Sequence, residues 1–151
     1  MSIEKFSFPT PTHFGVGARK LVGPHLKNLG FKRPLIVTDK AMADLPLMAE
    51  FISHLADLQV SVYAGVHGNP TASQVTAGGV AFKAHNADCV IGIGGGASLD
   101  VAKVVGLAAT HDGPILEYAW DHPKVRSISG TLPYFVAVSY THLTLPTKRI
   151  V

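Results

Sequence analysis

The sequence predicts an α/β domain: an open, mostly parallel sheet with helices on both faces. Three observations predict it. Five short β-rich runs alternate with stretches of helical period along the chain. Two of the runs, centred on Leu35-Ile36-Val37 and Cys89-Val90-Ile91, are continuously apolar, as strands covered on both faces are. The second of these enters three consecutive glycines and then a helical pattern, the strand–turn–helix order of parallel sheets. With 151 residues, 47% apolar and 15% charged, the chain has the size and composition of one core-bearing domain of about 100–200 residues.

Taken in order, the first β-rich run lies near Phe6 to Phe14. Ala18 to Leu29 reads as a helix interrupted at Gly23-Pro24, with Pro24 starting a new turn because its fixed φ suits a first helical position. Pro34 to Asp39 is the second strand. Leu47, Met48, Phe51, Ile52, Leu55 and Leu58 then form one stripe of a helix that ends before the third strand, Val60 to Ala64. Thr71 is placed to N-cap a helix carrying Val75, Gly79 and Phe82 on one face. The fourth strand runs from Asp88 to Ile93. Beyond the glycines at 94–96, Leu99, Ala102, Val105, Gly106 and Ala109 recur at helical spacing. Thr110 to Leu132 is rich in breakers, and Tyr134 to Ala137 is the fifth strand.

Charge and composition exclude several function classes. Of the 13 basic residues, Lys148 and Arg149 fall in the last 14 positions, which hold no acid; the remaining 11 face 10 acids, leaving +1. No basic face for nucleic acid is expected. The longest apolar run, Cys89 to Leu99, has 11 residues, short of the ~20 that span a bilayer. No membrane association is expected, and Met1 to Lys5 does not begin a secretory signal. A lone Cys89 suits a reducing compartment, and the cytoplasm is the expected location. The eight histidines are expected to form no i, i+3 or i, i+4 pair with a carboxylate and no metal centre.

Chemistry concentrates after the fourth strand, in Gly94-Gly95-Gly96-Ala97-Ser98-Leu99-Asp100-Val101-Ala102-Lys103. Glycines there let the backbone approach a ligand, and the first N–H groups of the helix, Gly95 to Ser98, point at whatever sits beyond its positive end. A pyrophosphate is the natural occupant. Ser98 either caps the helix or donates to a phosphate oxygen. Asp100 lies within the first turn, either favouring the dipole or touching the ligand, and Lys103 reads as a solvated or ion-paired surface lysine. Asp39 ends the second strand, where it either accepts from a ribose hydroxyl and repels a 2′-phosphate or caps the next helix. Asn69, in Gly68-Asn69-Pro70-Thr71 after the third strand, either bonds a nucleotide or merely turns the chain. The acid precedes the glycines by 55 positions, the reverse of the common dinucleotide fingerprint, so the site needs a different chain order. Cys89 reads as packing.

Phe14-Gly15-Val16-Gly17-Ala18, Val37-Thr38-Asp39, Gly68-Asn69-Pro70-Thr71 and the Gly94 to Lys103 element resemble successive landmarks of the iron-containing (group III, metal-dependent) alcohol dehydrogenases. The resemblance covers roughly residues 5 to 137 and implies a Rossmann-like, dehydroquinate-synthase-like N-terminal domain, here residues 1–137. It implies that Gly95, Gly96, Ala97 and Ser98 hold the pyrophosphate of NAD, with Asp39 and Asn69 near the adenosine half and NADP disfavoured. The family often has serine where this chain has Ala97. It also implies Fe2+ or another divalent metal held by a C-terminal helical domain missing from this chain, an alcohol or aldehyde substrate, and a homo-oligomer when full length. Catalytic residues are unknown, since they belong to that domain. Related readings are a glycerol-dehydrogenase-like or dehydroquinate-synthase-like fragment, or a nucleotide-binding module without catalysis. Residues 138–151 resemble the translation of a sequencing adapter and are expected to be a non-native tail. The truncated chain is itself expected to be inactive.

Overall fold

The computed structural model describes residues 10–139. Pro34–Asp39 (β1), Ser61–Val66 (β2), Cys89–Gly94 (β3) and Tyr134–Ser139 (β4) form one sheet in the order β2-β1-β3-β4. Every pairing is parallel, with Ile36 beside Val62 and Ile91, and Ile91 beside Val136. The helices are Val22–Asn28 (α1), Lys40–Ala43 (α2), Pro46–Ser53 (α3), Ala72–His85 (α4) and Gly96–Thr110 (α5).

Successive residues of a strand point to opposite faces, so one strand serves two cores. Ile36, Cys89, Ile91 and Ile93 meet Leu26 of α1 and Met48 and Phe51 of α3. Leu35, Val37 and Val90 meet Val75 and Phe82 of α4 and Val101 and Val105 of α5. The helices therefore cover both faces, as expected. α1 lies so close to the end of α3 that a Cβ on Gly23 would clash with the His54 carbonyl oxygen.

Several expectations need correction. Residues 10–14 form no strand and are exposed; Pro11 offers no N–H to a ladder, while residues 6–9 lie outside the described ones. The break before α1 falls between a 3-10 turn, Ala18–Leu21, and Val22, leaving Gly23 and Pro24 inside the first turn of α1. α3 ends at Ser53, and Leu55 and Leu58 are carried by tight turns in which each donates to the carbonyl three residues back. Leu55 nevertheless reaches the core at 1% exposure. Glu50 of α3 and His54, its C-cap, do stand four apart, with Nε2 3.5 Å from Oε1, an ion pair when the histidine is protonated. The third strand starts and ends later than expected, at Ser61 and Val66, and the fifth continues to Ser139. Residues 140–151, most of the expected tail, lie outside the described residues.

Candidate functional site

The sheet order makes β1 and β3 neighbours although β2 intervenes in the chain. From β1 the chain moves outward one way to β2; from β3 it moves the other way to β4. Such a switch point opens a crevice beyond the carboxyl ends of the two strands, the usual ligand position in open α/β sheets. Here β1 ends at Asp39 and β3 ends at Gly94. The seam below the crevice is stitched by Thr38, fully buried, whose Oγ1 donates to the Ile93 carbonyl at 2.8 Å.

A cleft of about 370 Å³ lies there, lined by Asp39, Lys40, Ala41, Val66, His67, Gly68, Gly95, Ala97 and Ser98. Three loops supply it, one from each of the strands β1, β2 and β3. A second hollow of about 310 Å³ lies at the opposite, amino edge, beside the Lys27–Asp57 ion pair.

The wall from β3 is built by its glycines. Gly94 has φ +138°, a conformation that side-chain-bearing residues rarely adopt, and a Cβ there would stand 2.9 Å from Ser98 Oγ. Gly95 is the N-cap of α5 and has no side chain to cap with. The first helical bond of α5 runs from Leu99 N–H to the Gly95 carbonyl, so the N–H groups of Gly96, Ala97 and Ser98 have no partner within the helix. A Cβ on Gly96 would meet nothing within 4 Å. The helix thus presents open space and free donors at its positive end.

Asp39 sits at the floor and is held at both oxygens. Oδ1 accepts from Met42 N–H at 2.8 Å, which makes Asp39 the N-cap of α2, and Oδ2 accepts from Ser98 Oγ at 3.4 Å. The capping alternative for Asp39 is therefore realised, without removing the residue from the cleft. Ser98 is 2% exposed and occupies the third helical position rather than the cap; its hydroxyl goes to Asp39.

The structure brings Asp39, Gly95, Ala97 and Ser98 together, with Gly94 and Gly96 adjoining them. It does not bring in Asn69, which is exposed in the turn after β2, where its neighbour Gly68 lines the cleft instead. Asp100 also stands apart: α5 begins at Gly96, which places Asp100 in the second turn, exposed and 3.4 Å from Lys103 Nζ. Lys40, Ala41, Val66, His67 and Gly68 were not anticipated. The ends of β1 and β2 are the only sequence signal for them, and it becomes usable once those strands are known to be neighbours. Cys89 is fully buried in β3, and burial, reinforced by the Asp88 carboxylate, pushes its thiol pKa far up, so the packing reading holds. Among the described residues no three His, Cys, Asp or Glu side chains come together as a metal site, and no helix is long and apolar enough to cross a membrane.

Residues 9–143 match the family model for iron-containing alcohol dehydrogenase. The chain is 34% identical over 147 residues to the 1,3-propanediol dehydrogenase of Citrobacter freundii, covering 93% of this chain and 37% of that one. It is 38% identical over 141 residues to the NAD-dependent methanol dehydrogenase of Bacillus methanolicus, covering 92% and 36%. Among solved structures, the alcohol dehydrogenase from Oenococcus oeni superposes with a TM-score of 0.75 at 30% identity, over 84% of this chain and 33% of that one. The chain spans about a third of the length of the relatives it matches.

Proposed function

This chain belongs to the iron-containing alcohol dehydrogenase family, and from that premise we propose that its cleft binds NAD for an enzyme moving hydride between an alcohol and the nicotinamide ring. One observation carries the reading. At the switch point, the free N–H groups of Gly96, Ala97 and Ser98 and a carboxylate, Asp39, border one opening. The N–H groups take the pyrophosphate, where the dipole and the absent Gly96 Cβ favour an anion pressed against the backbone. Gly94 keeps Ser98 and Asp39 in place behind it. Asp39 accepts from the adenosine ribose, and its charge disfavours the 2′-phosphate of NADP. Asn69 and Asp100 are left at the margin of this arrangement. The methanol dehydrogenase relative, named as NAD-dependent, supports the same cofactor.

When bound, NAD supplies the carbon that exchanges hydride with the substrate. The described residues do not fit a metal, so we place the iron or other divalent metal that the family name implies, together with the catalytic residues, outside them. The substrate class is an alcohol or its aldehyde, after the relatives' names. A single buried cysteine supports a cytoplasmic location.

Gly96→Ala tests the cofactor reading. Its methyl group meets nothing in the protein, so stability should stay within about 1 kcal/mol. A pyrophosphate pressed on that backbone would feel it, and titration calorimetry should show NAD+ binding weakened about tenfold or more. The unsubstituted chain should bind NADP+ about tenfold more weakly than NAD+. A chain that melts cooperatively yet takes up no NAD+ refutes the reading.

A further inference from the structure

We propose that Gln74 is a positioning residue for the cleft, holding its β2 wall through the His67 carbonyl; this rests on the cofactor reading above. Gln74 is the third residue of α4, 4% exposed, and follows the N-cap Thr71 by three. Thr-x-x-Gln at a helix start ordinarily forms a reciprocal box: the cap oxygen takes the N–H of the third residue, and the glutamine oxygen takes the N–H of the cap. Only the first half forms here, Gln74 N–H donating to Thr71 Oγ1 at 3.3 Å. The side chain turns away from the cap, and Nε2 donates to the His67 carbonyl at 2.7 Å. Its Oε1 is left buried with no hydrogen-bond partner among the described residues.

A glutamine that forgoes its local partner and leaves an acceptor unsatisfied is held by what the other end of its amide does. That end fixes His67, which with Gly68 lines the cleft on the side of β1 away from the Gly95–Ser98 turn. Two further contacts stiffen the same wall. The His67 ring pairs through Nδ1 with the Gly65 carbonyl at 3.1 Å. From β2, the Tyr63 hydroxyl donates to the Gln74 carbonyl at 2.8 Å, tying the first turn of α4 to the sheet. Gln74 is thus the link between a rigid helix start and an exposed turn that otherwise contributes its bare backbone.

The test uses the 151-residue chain with NAD+ as probe. Gln74→Met keeps the length and removes the donor. NAD+ affinity should fall by up to about tenfold, the loss expected for one part-buried hydrogen bond that holds the wall. Amide exchange at His67 and Gly68 should accelerate while Gly96 to Ser98 are unchanged. Gln74→Glu supplies an independent readout. Its protonated acid can still donate to the His67 carbonyl, whereas its carboxylate opposes it; burial at this position raises the acid's pKa, so NAD+ affinity relative to the unsubstituted chain should fall from pH 5 to pH 8. Should Gln74→Met not fold, that pH dependence decides. Affinity and exchange within twofold of the unsubstituted chain in Gln74→Met, or a flat relative affinity in Gln74→Glu, overturns the proposal alone. Failure of the unsubstituted chain to bind NAD+ overturns the cofactor reading, and this proposal with it.

Discussion

Gly94 and Gly96 stand two residues apart in one turn and answer to different physics. Gly94 is needed by the protein itself: its φ of +138° disfavours any side chain, and the space a Cβ would take is filled by Ser98. Gly94→Ala should therefore cost about 2–3 kcal/mol in denaturant unfolding, with or without nucleotide. Gly96 meets nothing, so replacing it should leave the free protein alone and tax only the bound state. A stability difference between the two variants without an affinity loss at Gly96 would separate backbone geometry from ligand contact. Three glycines in a row announce a close approach, but their letters alone do not say which of them the fold uses and which it leaves to the ligand.

Among elements, the helix starts are the most local and the most legible. Thr71 was recognisable as a cap because a short side-chain oxygen precedes a helical pattern, and it does bond the Gln74 N–H. Thr71→Ala should lower stability by about 1 kcal/mol, with Thr71→Ser recovering most of it, as read from thermal melts. Strands β1 and β3 were equally plain, since burial on both faces removes the polar alternation that blurs shorter strands. The stripe Leu47 to Leu58 was less faithful. A turn can carry apolar residues into a core as well as a helix can, and Leu55 does so after α3 has ended. The strand near Phe6 to Phe14 failed where described because exposed Pro11 and Phe14 have no neighbouring ladder to join.

Sheet order was the element-level property least visible in the sequence. Alternation tells which face a residue occupies, not which strand lies beside it. Asp39, Gly95, Ala97 and Ser98 were identified from local chemistry, a carboxylate and glycines at strand ends. His67 and Lys40 carry no such mark; they enter the cleft only because the ends of β1 and β2 are adjacent. Asn69 was drawn in by its motif and lies one residue beyond the wall.

At the scale of the molecule, stability rests on the two apolar cores rather than on charge. The ion pairs Arg19–Glu50, Lys27–Asp57, Asp100–Lys103 and Arg126–Glu117 each have at least one exposed partner, where a pair contributes little. The hydrogen bond from Arg19 lowers the pKa of Glu50, and that from Lys27 lowers that of Asp57. A lowered carboxyl pKa adds stability above its unfolded value, which fades as pH falls through the folded one. That fading should be shallow here, because water screens both groups. Raising sodium chloride from about 0.05 to about 0.5 M should accordingly leave the melting midpoint within about 2 °C. A large drop would mean that surface charge carries more of the fold than its geometry allows.

The seam between β1 and β3 also sets when a binding site can exist. Thr38 reaches Ile93 across 55 residues and Asp39 reaches Ser98 across 59, with β2 and α4 between them. Closing a loop of that length costs entropy before the contacts form, so the seam should be slow to form. A chain growing from its first residue makes Asp39 early, but nothing can bind beside it until the turn after β3 has been synthesised and has returned past β2. On the cofactor reading proposed above, nucleotide recognises only chains whose central pairing is complete, so its presence during refolding should hold the paired product without hastening the first step.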